Sequence, residues 1–206
     1  MIKTPLLALA FAAAPLLTSP ALQAEEEVNI NAIPVTDSIY MLSGKGGNIG
    51  LFLGMDGSFV IDDQYAPLTE KILTSIRSVG GETPRFLLNT HFHGDHTGGN
   101  ENIGNLGTTI VSHDNVRERL ANGSFIKAFG MKMPPAPKAT LPVITFSESM
   151  HFHINEESVE IVHVAPAHTD GDSYVHFKNA NVVHAGDIFF NGFYPFIDAA
   201  NGGSVK

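Results

Sequence analysis

The sequence predicts a layered domain of the α/β or α+β class. Three observations lead there. Short apolar runs bounded by Gly, Asn and Asp turns recur from residue 38 onward, as consecutive strands do. One segment, opened by Pro67 and closed by Gly80-Gly81, repeats apolar residues at helical spacing. A second helical stretch follows a later strand and strands then resume to residue 185, so helices and sheets must stack around a shared core. Nothing repeats at short period and no boundary interrupts the pattern. Residues 25–206 therefore read as one domain.

Each element follows from local chemistry. The run 38–43 leads into Gly44-Lys45-Gly46-Gly47, a glycine-rich turn that reverses the chain into 48–53. Met55-Asp56-Gly57 turns again into 58–61, which ends at Asp62-Asp63. Strands joined by tight turns start the sheet antiparallel. Pro67 suits the first turn of a helix. Leu68, Ile72, Ile76 and Val79 share one face, and Gly80-Gly81 stops it. Residues 85–90 and 108–112 read as strands, and 114–120 as a short helix capped through Asp114. Residues 123–140, rich in Met, Pro and Lys, show no period and are expected to form a long surface loop. Strands return at 143–146, 150–154, 158–164, 173–177 and 181–185.

Composition excludes several functions. The 206 residues hold 12 Lys and Arg against 21 Asp and Glu, a formal net charge of −9. Phosphate backbones and anionic lipids both require a basic surplus, so neither nucleic acid nor a membrane surface is an expected partner. A small molecule remains. With no cysteine, disulfides, thiolate nucleophiles and thiolate ligands are all absent. Any metal must be held by carboxylates and by the 10 histidines.

The first 24 residues read as an address. Lys3 precedes an apolar run, residues 5–17, and Ala24 precedes Glu25-Glu26-Glu27. A positive start, a short apolar stretch and a small residue at the cut describe a bacterial signal peptide. Cleavage is expected after Ala24, with Ala21 as the second candidate. The product would be a periplasmic or secreted chain beginning at Glu25, with no stable membrane anchor. No cysteine lies near the cut, so no lipid is attached there.

The chemistry concentrates just past strand 85–90. His91, His93, Asp95 and His96 place four ligand-type side chains in six residues. His91 and His93 are two apart, so in extended backbone they point to one side and can grip one metal. Gly94 lets the chain turn and bring Asp95 and His96 toward a second point nearby. Two closely spaced metals are a known hydrolytic arrangement.

This His-x-His-x-Asp-His segment resembles the signature of the metallo-β-lactamase superfamily. Further matches follow in order: Gly47-Asn48, Val60-Ile61-Asp62, the loop Pro166-Ala167-His168-Thr169-Asp170-Gly171-Asp172, and Ala185-Gly186-Asp187. The resemblance implies an αβ/βα sandwich. It implies that His91, His93 and His168 bind a first metal. Asp95, His96 and Asp187 then bind a second, with Asp187 bridging the two. Asp62 would orient a ligand from behind. The chain also departs from the pattern. No histidine follows Asp187, where the family supplies a further ligand, and the helices and final strand of the second half are absent. A fragment is therefore expected, with apolar surface uncovered and the second metal weakly held.

The resemblance further implies Zn²⁺, one ion or two. Water bound to zinc is acidified to a pKa of about 7, so hydroxide can attack the carbonyl of a β-lactam, lactone, ester or thioester. Asp95 would both ligate and orient it. Many β-lactamases of the family carry Cys at the Asp187 position and Lys three residues on. Here the latter is Phe190, within an aromatic run, so an apolar rim replaces a charged anchor. A mononuclear iron dioxygenase acting on sulfur substrates, on the same fold, is one alternative, since His and carboxylate also suit iron. A non-catalytic metal-binding protein is the other. Elsewhere, His151 and His153 alternate with Met150, Phe152 and Ile154 and should face solvent. His163, His176 and His184 sit within strands and read as structural.

Overall fold

The computed structural model describes residues 27–164 and 166–205; the expected signal segment, 1–24, lies outside them. In chain order come β1 (Asn31–Pro34), β2 (Ile39–Ser43), β3 (Ile49–Phe52), β4 (Phe59–Ile61), α1 (Thr69–Ser78) and β5 (Phe86–Asn89). Then follow α2 (Gly94–Thr97), α3 (Asn100–Gly104), β6 (Thr109–His113), α4 (Asp114–Asn122), β7 (Ser124–Ile126) and β8 (Met131–Met133). The last strands are β9 (Ile144–Phe146), β10 (Ser149–Ile154), β11 (Glu157–His163), β12 (Ser173–Phe177) and β13 (Val182–His184).

Seven strands form one sheet in the order β1-β2-β3-β4-β5-β6-β9. It is antiparallel from β1 to β4 and parallel from β4 through β5 and β6 to β9. The change follows from the connections. Tight turns join the first four strands, whereas α1, and later α3, carry the chain back over one face so that the next strand starts at the same end. A second, antiparallel sheet has the order β10-β11-β12-β13.

Period-two alternation divides the apolar residues of the large sheet between two cores. Ile39, Phe59, Ile61, Leu88 and Val111 face the second sheet and meet Ile154, Val159, Ile161, Val175 and Phe177. Leu42, Val60, Leu87 and Ile110 face the other way and meet Leu68, Ile72 and Ile76 of the α1 region. Phe59, Phe86 and Phe152 pack edge-to-face or tilted at 5.0–6.4 Å between the sheets. The layers are thus helix, sheet, sheet, with α4 filling the parallel edge through Val116 and Leu120 against Phe92.

Four local expectations change. The sheet begins one strand earlier, at β1. The segment 123–140 contains the hairpin β7-β8, turned at Gly130 (φ 61°). Its strands are three residues long, too short to show alternation. A short helix, α3, follows the histidine motif. The cap of α4 is His113, whose Nδ1 accepts from Asn115 N at 3.2 Å, instead of Asp114. His151 and His153 do face outward, on β10 beside Glu160 of β11.

The end of β5 is tied to the motif by a reciprocal amide pair. Asn89 Nδ2 donates to Asn100 Oδ1 (3.0 Å) and Asn100 Nδ2 donates to Asn89 Oδ1 (2.9 Å), both residues fully buried. Asn89 also donates to the carbonyl of His96, and Asn100 to that of Thr140. Asn100→Ala would strand a buried donor and two acceptors. We expect a loss of about 1–3 kcal/mol in chemical denaturation; an unchanged midpoint would contradict this role for the pair.

Candidate metal centre

The centre gathers at the strand ends that follow the parallel crossover. β5 delivers His91 and His93, the short helix α2 delivers Asp95 and His96, the loop between β11 and β12 delivers His168, and the turn after β13 delivers Asp187. His91, His93, His96 and His168 are all buried. Their rings pack edge-on or tilted, 4.1–4.8 Å between centroids.

Each ring is held from outside by its far nitrogen. His93 Nε2 donates to Asp198 Oδ2 at 3.0 Å. His168 Nδ1 donates to the carbonyl of Phe196 at 2.5 Å. His96 Nδ1 donates to Asp62 Oδ2 at 2.8 Å. Carbonyl and carboxylate oxygens only accept, so these three nitrogens carry the proton. His91 Nδ1 lies 3.2 Å from Thr90 Oγ1, whose own hydrogen goes to Asp62 Oδ2. That nitrogen is therefore a donor as well.

The inner nitrogens are then left with lone pairs, and these converge. His93 Nδ1 and His168 Nε2 stand 2.9 Å apart, with no hydrogen between them when both rings are neutral. His91 Nε2 and His96 Nε2 are buried without a hydrogen-bond partner. Asp187 approaches from the open side, Oδ1 at 3.2 Å from His96 Nε2 and Oδ2 at 3.7 Å from His168 Nε2. Buried acceptors facing one another are costly unless a cation lies among them. Two sets are close enough to hold one: His91, His93 and His168; and His91, His96 and Asp187. The residues present fit a metal, and the first set forms a possible metal site.

Most of the residues singled out from the sequence meet here. His91, His93, His168, His96 and Asp187 share the two sets. Asp95 is beside them and in neither set; its Oδ2 is 3.6 Å from His96 Nε2, and its side chain faces the cleft. Asp62 lies behind. It accepts from Thr90 N and Thr90 Oγ1, each at 2.8 Å, as well as from His96. Asp172 is buried and closes the His168 loop by accepting from Thr169 N and Thr169 Oγ1. Sequence reasoning missed Asp198, which is 2% exposed and lies 105 residues from His93. It also missed the relay behind Asp198, in which Asn201 donates to Asp198 at 2.6 Å and Arg119 of α4 donates to Asn201 and Asp170.

The glycine turn after β2 covers the centre. A side chain at Gly47 would overlap the His96 ring, and one at Gly46 would overlap Asp95. Only a bare backbone can close so tightly over the site.

Protonation follows the same geometry. Burial, with His96, His93 and His168 adjacent, pushes His91 well below the ordinary imidazole range. Burial also lowers His93, although Asp198 opposes it. Burial works against charge on His96 too, but Asp62 and Asp187 outweigh it and hold the ring well above its ordinary value. The surroundings that hold a proton at His96 are those that would hold a metal cation there.

A sequence model of the metallo-beta-lactamase superfamily matches residues 43–205. Among solved structures, the chain is similar to a subclass B3 metallo-beta-lactamase of Bradyrhizobium japonicum: TM-score 0.62, 21% identity, 72% of this chain and 57% of that one. It is similar to a metallo-beta-lactamase of Cronobacter sakazakii at TM-score 0.68 and 16% identity, over 84% of this chain and 68% of that one. For a metallo-beta-lactamase of Novosphingobium pentaromativorans the values are 0.61 and 18%, over 74% and 58%. At these identities the likeness is one of fold. The chain spans 57% to 68% of the length of these three proteins.

Two outcomes are expected. Asp198→Ala removes the acceptor that turns His93 inward and should weaken metal binding about 10- to 100-fold in chelator competition; unchanged affinity would show that Asp198 does not orient the ring. The second concerns chelator-treated protein. His91 and His93 titrate below the unfolded value of about 6.5, so the unfolded chain binds more protons and stability falls as pH drops through about 6.5. His96 titrates above it, so its contribution is fully present below about 6.5 and is lost as pH rises through the folded value. Thermal denaturation against pH should therefore pass through a maximum, and His96→Gln should flatten the alkaline limb. A monotonic curve would contradict these assignments.

Proposed function

Because the chain belongs to the metallo-beta-lactamase superfamily, whose sequence model matches residues 43–205, we propose that it is a zinc-dependent hydrolase. Its target is the carbonyl group of a small molecule: a β-lactam, a lactone, an ester or a thioester. His91, His93 and His168 would hold one ion. His96, Asp187 and Asp95 would hold a second.

The observation that carries this reading is the convergence of inner lone pairs from His91, His93, His96 and His168, with Asp187 beside them. A donor set of imidazole and carboxylate without sulfur suits zinc. When bound, zinc supplies a Lewis acid and acidifies water to a pKa of about 7.

The chain's own groups do the rest. Asp95 faces the cleft with a carboxylate that can orient the attacking water and accept its proton. Asp62 fixes His96 and, through the Thr90 amide and hydroxyl, the start of the motif, so the ligands hold their aim while charge develops. The burial of the four rings keeps bulk water from that side, which strengthens each electrostatic contact. No side chain need form a covalent intermediate.

Asp95→Asn keeps the shape and removes the base. Hydrolysis by the zinc-loaded protein should fall about 10²- to 10⁴-fold with secondary structure and the zinc at His91, His93 and His168 retained. The assay panel is a chromogenic β-lactam, several lactones and a thioester, with circular dichroism and metal analysis alongside. Full activity in the variant would remove Asp95 from its role. Silence of the native protein across the panel, with zinc bound, would overturn the hydrolase reading.

A further inference from the structure

Beside Asp95, His96 and Asp187 opens a cleft of about 820 Å³, lined on one side by the glycine turn and β2 and on the other by β12, β13 and the turn that follows. Among the described residues its acids are Asp95 and Asp187, and no Lys or Arg lines it. Lys45, in the same turn, is exposed and off the wall. Away from the acids the walls are mainly apolar, interrupted by Asn48, His184 and Asn191. Ile39, Phe177 and Val182 line the inner part, between the two sheets, and Phe190 and Phe193 form the rim. The rim is continuous with the centre, since Phe190 lies 5.5 Å from Phe193 and 6.3 Å from His168, ring to ring.

Such a wall discriminates by charge. A substrate carboxylate carried along the wall, away from the metal centre, would leave water without gaining a cation from it. A hydrocarbon arm meets no such cost and gains up to about fourfold in binding for each methylene buried. The apolar residues lie where an arm would go if its carbonyl sat at the metal centre.

We propose that this site takes an uncharged substrate whose carbonyl group bears an apolar arm, an acyl ester, acyl thioester or alkyl lactone, and that the arm lies in the cleft between β2 and β13. The chemistry rests on the hydrolase reading above; the recognition does not. Val183, on the exposed strand β13 and 56% exposed, is the position where a cation can be added to the wall without disturbing the core.

The test has a binding arm and a kinetic arm. In the first, acetohydroxamate and octanohydroxamate are titrated into zinc-loaded protein by calorimetry. The octyl compound should bind at least about tenfold more tightly, and equal affinities would overturn the proposal. In the second, p-nitrophenyl esters from acetate to octanoate are compared with an ω-carboxylated ester of matched length. We expect kcat/KM to rise at least about tenfold along the series and to fall for the carboxylated member. Val183→Lys should reduce that discrimination ratio. Hydrolysis indifferent to both chain length and carboxylate would overturn the proposal while sparing the hydrolase reading. Chain-length-dependent hydroxamate binding without hydrolysis of any ester would do the reverse.

Discussion

The centre depends on one constraint: the outer nitrogen of each imidazole already has an acceptor. Asp198, the Phe196 carbonyl, Asp62 and Thr90 take the four outer hydrogens. A neutral imidazole has one donor and one acceptor nitrogen, so fixing one fixes the other. Four inner nitrogens are thereby aimed at one small volume before any cation arrives, that of His96 holding a proton that a metal would displace. The fold pays for this by keeping two of them buried and unpartnered. A stranded buried acceptor typically costs about 1–3 kcal/mol, which is compatible with a domain only if the rest of the packing is sound.

The packing supplies that frame. The two sheets lock the ends of β4, β5 and β13 through a shared core, and the ligand-bearing segments start at those ends. The amide pair of Asn89 and Asn100 then ties the motif backbone to α3. Asp62 has φ 63°, an unusual conformation for a non-glycine residue. Three hydrogen bonds hold its carboxylate, and they account for how the backbone is kept there. Asp63, next to it, spends its Oδ1 on Gly99 N, and burial pushes its carboxyl well above the usual range. Adjacent acids thus serve different ends: one orients a ring, and the other anchors the helix that follows the motif.

Much of this was legible in the sequence because the decisive residues are close together or lie in strong patterns. His91, His93, Asp95 and His96 fall within six residues, and alternation over Met150 to Ile154 turns His151 and His153 outward. Asp62 was legible by resemblance to a known pattern. What escaped has no local signature. Asp198 sits in an irregular stretch, and nothing in its neighbours connects it to His93. β7 and β8 are three residues each, below the length at which a period can be read. His113 was passed over as a cap because Asp114, the more frequent capping residue, stands next to it. In each case a contact distant in sequence, or a short element, carried the information.

The stretch from Gly186 to Val205 couples the parts that local reading kept separate. It has no strand of its own, yet its backbone is bound to the His168 loop: Asp198 N donates to the His168 carbonyl, Ser204 N to Ala167, and Asp170 N to the Asn201 carbonyl. Gly203 packs so closely on the His168 carbonyl that a side chain there would overlap it. The same stretch supplies both Asp198 for His93 and the Phe196 carbonyl for His168. Those two rings therefore do not hold their tautomers independently. If the stretch lifts away, both lose their acceptors together, and the 2.9 Å pair of lone pairs they present is lost as a unit. The last twenty or so residues are for this reason part of the metal centre's frame, although only Asp187 among them offers it a ligand.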